Sequence, residues 1–200
     1  MQQYIILALL VIINLTPSFV VEQKESQSLS SRNCESFAIH ILDDNWDNLH
    51  LGYTHEKSMP ILQRIYKYRS YIDITIQDIV RFDWRKQQVI LSIEATDSLK
   101  KKFKIDFDKQ SVSHLSMALR AFVVTVDGQP AYGGIILPRG SQMAIRYPVI
   151  YIGQDSNGRI TMDIRPLHSI FEMESSDPAW NIVRQDCIRD VFERVGKLAP

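Results

Sequence analysis

The chain has 200 residues, 45% of them apolar and 10% aromatic, with 23 basic and 23 acidic side chains and a formal net charge of zero. That apolar content supports a buried core of one domain. A neutral chain carries no electrostatic footprint for nucleic acid; its local basic run, Lys100-Lys101-Lys102 with Lys104, reads as a solvated helix end rather than a phosphate-binding patch.

Residues 1–21 read as an export signal. Tyr4 to Leu15 is YIILALLVIINL, apolar except for Asn14, and Thr16-Pro17-Ser18 breaks the run before the first charge at Glu22. A short apolar core followed by a breaker and small residues fits secretion, although Met1-Gln2-Gln3 brings no Lys or Arg. Cleavage after Ser18 places Thr16 and Ser18 at the small-residue positions. The alternative is an uncleaved anchor. A span needs about 20 apolar residues, and Met1 to Val21 reaches that length only by including Gln2, Gln3, Asn14 and Pro17. The protein is therefore expected outside the cytoplasm, periplasmic or secreted, and at a membrane only if this segment stays attached. Glu22 to Asn33, EQKESQSLSSRN, is polar and Ser-rich and reads as a flexible leader.

Order is expected from Cys34 to Pro200 as a single α+β domain. Ser36 to Leu42 alternates as a strand covered on both faces. Asp43 to Gly52 is a polar loop or short helix. Ser58-Met59-Pro60 opens a helix, with Ser58 or Met59 as cap and Pro60 in the first turn. Ile72, Ile74 and Ile76 alternate with Asp73 and Thr75. Asp78 to Asp83 and Gln88 to Ile93 form two strands joined through Trp84 to Gln87. Glu94 to Phe103 is a polar helix with one narrow apolar face, Ala95, Leu99 and Phe103. Ser111 to Leu119 reads as a further short helix.

The clearest hairpin follows. Phe122 to Val126 is a buried-strand run, Asp127-Gly128 supplies the positive φ angles of a tight turn, and Ala131 to Leu137 returns. Gly133-Gly134 predicts a bulge or a close backbone approach. Pro148 to Gly153 is another strand, and Asn157-Gly158 turns into Arg159 to Arg165. Asp177 caps a last helix with Pro178 in its first position. Trp180, Val183, Cys187, Val191 and Val195 recur at helical spacing beside Ile188 and Phe192, and Gly196 stops it.

Two cysteines in an oxidising compartment are most simply one disulfide, Cys34–Cys187, closing a loop of more than 150 residues. Cys187 lies on an amphipathic helix with no His near it in sequence, so a nucleophilic role is not expected. The densest polar cluster is His40, Asp43, Asp44, Asp47, His50, His55 and Glu56. These ligand types suit zinc or a harder cation, but HExxH and calcium-loop spacings are absent, as are GxSxG and phosphate-binding glycine loops. No catalytic residue, metal or cofactor is assigned. Tyr132, Tyr147 and Tyr151 lie near strands that could present an open edge to an extended peptide.

Three segments carry a resemblance: ITIQDIV (Ile74 to Val80), QVILSIEATDSLKKKF (Gln88 to Phe103) and AFVVTVDGQPAYGGII (Ala121 to Ile136). In that order they resemble the periplasmic substrate-head domain of SecD-type accessory subunits of the protein export channel, over about Ile74 to Ile152. The resemblance implies an α+β fold with helices on one face of a mainly antiparallel sheet, followed here by the C-terminal amphipathic helix. It also implies contact with a protein or peptide. The leading expectation is an exported, non-enzymatic binding module, inhibitor- or immunity-like. The alternative is a metal-assisted hydrolase using His40 to Glu56.

Overall fold

The structure is a computed structural model that describes residues 34–52, 54–107, 117–138, 141–168, 173–174 and 176–199. The signal and leader expectations, and the helix expected across 111–119 up to residue 116, lie outside the described residues. In chain order the elements are β1 (Phe37–Asn45), α1 (Trp46–Leu49), α2 (His55–Arg69), β2 (Ser70–Thr75), β3 (Ile79–Asp83), β4 (Gln88–Leu91), α3 (Ile93–Phe103), β5 (Arg120–Val126), β6 (Gln129–Leu137), β7 (Val149–Gln154), β8 (Ile160–Arg165), α4 (Asp186–Arg194) and β9 (Leu198–Ala199).

The strands form one sheet in the order β2-β1-β5-β6-β7-β8-β4-β3-β9. Only β6–β7 and β3–β9 run parallel; the other pairings are antiparallel. The fold is thus α+β on a mainly antiparallel sheet, with a helix near the C-terminus.

Side-chain alternation explains the layers. Every residue of β5 from Ala121 to Val126 is buried, so both faces need cover. Phe122, Val124 and Val126 join Phe37, Ile39, Leu99, Phe103, Ile188, Val191 and Phe192 in the larger core, under α3 and α4. Ala121 and Val123 join Ile135, Tyr147 and Val149 in a second core under Leu62 and Tyr66 of α2. The helices α3 and α4 therefore share one face, and α2 adds a layer on the other. In the larger core Phe192 lies 4.9 Å from the Phe37 ring and 4.6 Å from Phe82, a geometry that adds to simple area burial.

The β5–β6 hairpin turns through Asp127 and Gly128 at φ 51° and 69°, as the Asp-Gly pair requires. The Asp127 carboxylate also accepts from the backbone N–H of Glu35 and of Ser36, both at 2.8 Å. It thereby fastens the segment entering β1. Gly133-Gly134 marks a close approach. A methyl at Gly134 would meet the Pro148 carbonyl oxygen at 1.7 Å, and one at Gly133 would meet Leu62 and the Phe122 carbonyl at 2.9 Å.

Two helix expectations need correction. The helix expected from Ser58 starts a turn earlier, at His55. Ser58 is inside it, 1% exposed, and its hydroxyl donates to the Gly52 carbonyl at 3.0 Å instead of capping. Pro60 therefore falls in the second turn, where it cannot donate to Glu56. Both residues are exposed, so water can reach the freed carbonyl.

The last helix is not continuous. Asp177 caps a 3-10 turn over Pro178–Ile182, and α4 begins only at Asp186. Gln185 between them is extended, and its side-chain amide donates to Ile182 and Ala131 carbonyls at 3.1 and 3.4 Å. Arg184 stacks 4.4 Å over Trp180 and donates to the Arg85 carbonyl. These long-range contacts outcompete local helix propensity. Trp180, Val183, Ile188, Val191 and Phe192 still face the core, whereas Val195 is 44% exposed.

Candidate functional site

The His40 to Glu56 segment does not converge. Asp43 accepts from Arg120 at 3.3 Å, and Asp44 pairs with Arg69. Asp47 is exposed in the first turn of α1, and His50 adopts the left-handed conformation that ends it. Glu56 sits at the start of α2, where its own backbone N–H and then the Thr54 hydroxyl hold its carboxyl below the ordinary glutamate value. Among the described residues, no three His, Cys, Asp or Glu side chains are placed to share a metal ion.

His40 instead belongs to a chain that sequence reasoning missed. The register of β1 on β2 puts His40 opposite Asp73. The ring Nδ1 lies 2.6 Å from Asp73 Oδ1, and Nε2 lies 3.0 Å from Thr125 Oγ1. An ionised carboxylate can only accept, so Nδ1 carries the proton and, in the neutral ring, Nε2 accepts from the hydroxyl. Partial burial opposes ionisation of Asp73. Hydrogen bonds from Ser70 and His40, with the charge of Lys102, nevertheless hold its carboxyl below the ordinary aspartate value. Carboxylate, imidazole and hydroxyl in a row can activate a nucleophile. Here the Thr125 residue is 3% exposed on a central strand, so its hydroxyl is not presented to a substrate. The chain satisfies the buried Thr125 hydroxyl and the partly buried His40 ring, and ends at Asp73, which is exposed on β2.

The three tyrosines expected to meet a partner are interior, which corrects that expectation. Tyr132 is 1% exposed, Tyr147 0% and Tyr151 8%. Tyr132 and Tyr151 lie on β6 and β7 in the middle of the sheet; burial pushes the Tyr132 phenol far above its ordinary value. The edges are β2 and β9, and both are blunted. On β2, the Tyr71 carbonyl accepts from the Lys102 ammonium, and the Thr75 N–H donates to Asp78 at 2.8 Å. On the other side, β9 has two residues. Charge, self-capping and short length are how a sheet edge resists strand addition.

The open surface is the outer side of α2. At 3.6 residues per turn, Lys57, Arg64 and Tyr68 fall within about 20° of one line along the helix. Pro60 and Lys67 lie about 60–80° to one side of that line, and the buried Met59, Leu62 and Tyr66 lie opposite it. Tyr68 is 88% exposed. The helix carries Lys57, Arg64, Lys67 and Arg69 against a single acid, Glu56. Arg69 has Asp44, while Lys57, Arg64 and Lys67 form no ion pair among the described residues. The basic run on α3 is different. Lys100 and Lys102 donate to the Gly158 and Tyr71 carbonyls, so part of that charge serves the fold.

Cys34 and Cys187 are joined as a disulfide, with Cα atoms 5.5 Å apart and a sequence separation of 153. Among the described residues no helix is long and apolar enough to cross a membrane. Compared with known proteins, the chain matches no protein-family profile, no curated sequence and no solved structure.

Proposed function

We propose that this chain is an exported binding module, held closed by the Cys34–Cys187 disulfide, that contacts a protein partner through the outer ridge of α2. The observation that carries the reading is Tyr68, 88% exposed and set beside Arg64 and Lys67. A tyrosine wholly in water loses the benefit of its apolar ring, and Tyr and Arg are the residue types that dominate binding energy at interfaces. The apolar run from Tyr4 to Leu15 and the disulfide support export. The likeness of Ile74 to Ile152 to the SecD head supports contact with another polypeptide. Metal-assisted hydrolysis by the His40 to Glu56 segment has less support, because Asp43, Asp44 and His40 are each engaged by Arg120, Arg69 and Asp73.

A photo-crosslinking phenylalanine analogue in place of Tyr68, introduced in the native source, tests the contact. The expected result is an adduct of one discrete mass from position 68 and none from position 190, an exposed site on α4. No adduct at 68, or equal adducts at both positions, would overturn the proposal. Export is checked on the same purified material: its mass should lack residues 1–18.

A further inference from the structure

We infer that the segment docking on α2 is an acidic stretch of polypeptide. This rests on the protein-contact reading above and names the chemistry of the partner. The outer side of α2 carries three cations without counter-charges among the described residues. Lys57, Arg64 and Lys67 are exposed and make no ion pair among the described residues. Arg69 pairs with Asp44, Arg120 with Asp43, Arg159 with Asp155 and Lys86 with Asp83, while Arg81, Arg85, Lys101, Lys104, Arg146 and Arg189 are exposed without an ion pair among the described residues. What sets α2 apart is its local imbalance, four Lys and Arg against the single acid Glu56, in a chain whose formal net charge is zero. Positive charge at the C-terminal end of a helix is favourable by itself, which accounts for Lys67 and Arg69. It does not account for Lys57 in the first turn, where the helix dipole disfavours a cation. Carboxylates from a partner would meet Lys57, Arg64 and Lys67 along the ridge, and Arg64 could take one bidentately. The Tyr68 ring would cover the partner's backbone at the centre of the contact.

A membrane surface would also meet positive charge. Yet helices that lie in a bilayer interface present an apolar face to it, and this ridge has no aliphatic residue to insert. Ile61 and Ile65 are partly buried against the second core. The chemistry therefore favours an acidic protein segment.

The test uses the full folded chain without its leader. The probes are a fluorescein-labelled poly-glutamate of about 20 residues, poly-lysine of the same length, and phosphatidylserine vesicles. Poly-glutamate should bind the wild type, weaken steeply with added salt, and lose roughly tenfold or more in affinity with Arg64→Glu/Lys67→Glu, with Tyr68→Ala also weakening it. A control pair at the C-terminal end of α3, Lys101→Glu/Lys104→Glu, should leave binding unchanged. Equal affinity of the wild type and the α2 variant for poly-glutamate would sink the inference. So would binding to vesicles alone. The crosslink separates the two levels: an adduct at position 68 that persists in Arg64→Glu/Lys67→Glu removes the acidic class and leaves protein contact standing, whereas no adduct removes both.

Discussion

On one face of the sheet, α3 and α4 bury Leu99, Phe103, Ile188, Val191 and Phe192 against the Phe37, Phe82 and Phe122 rings, and the disulfide pins Cys187 of α4 to the entry of β1. On the other face, α2 closes a smaller core with Leu62 and Tyr66, and turns Lys57, Arg64, Lys67 and Tyr68 to water. Both faces arise from the same doubly buried strands, but they divide the work. The stapled face is where changes should reach stability. The α2 face should be separable into an inner side that holds the helix down and an outer side that can be altered without harm to the fold.

The largest expected effect comes from breaking the staple. Cys34→Ser/Cys187→Ser should cost about 5 kcal/mol at most on the chain-entropy estimate for a 153-residue loop. Denaturant midpoints with and without reductant measure it; a loss under about 1 kcal/mol would show that the stapled face does not depend on its cross-link. Next, Phe192→Ala and Leu62→Ala compare the two cores directly. Both side chains are 0% exposed. The first should cost about 4 kcal/mol and the second about 3. If Leu62→Ala proves the costlier, the ranking of the faces is reversed.

A smaller effect is expected at Asp127. Asp127→Ala removes acceptors from Glu35 and Ser36 and puts Ala at φ 51°, for about 1–2 kcal/mol. Asp127→Asn keeps the turn and should cost less. The N–H groups of Glu35 and then Ser36 hold the Asp127 carboxyl below the ordinary aspartate value. The group therefore contributes stability that is fully present above that value and is lost as pH falls through its lower folded-state value. Asp127→Asn should flatten the acid limb of a stability profile below about pH 4; an unchanged limb would show that the carboxylate charge plays no part. The smallest effect on stability should be that of Arg64→Glu/Lys67→Glu, within about 0.5 kcal/mol of wild type. Thermal melting checks it. A larger loss would show that the ridge belongs to the fold.

Much of the fold was legible because it is written in short-range patterns. The Asp127-Gly128 turn, the Gly133-Gly134 approach and the Leu99–Phe103 stripe of α3 each follow from residue type and spacing alone. What was illegible depends on partners far away in sequence. The break at Gln185 is held by Arg184 on Arg85 and by Gln185 on Ala131. Ser58 looks like a cap until Gly52 is seen to need it. The tyrosines looked like edge residues because strand order is invisible in a single sequence; β6 and β7 are central. His40 and Asp73 meet only through the β1–β2 register. The α2 ridge could be read as a run of exposed charges, but its lack of counter-charges required knowing where Asp43 and Asp44 had gone.

The short strand β9 has a kinetic consequence. Phe82 and Asp83 of β3 take their outer partners from Leu198 and Ala199, more than a hundred residues downstream. The side of β3 away from β4 thus stays bare while nearly all the remaining chain is being delivered, and closing it is a late, long-range event. A chain cut before Leu198 should therefore leave that side of β3 as an open edge, able to pair with another strand.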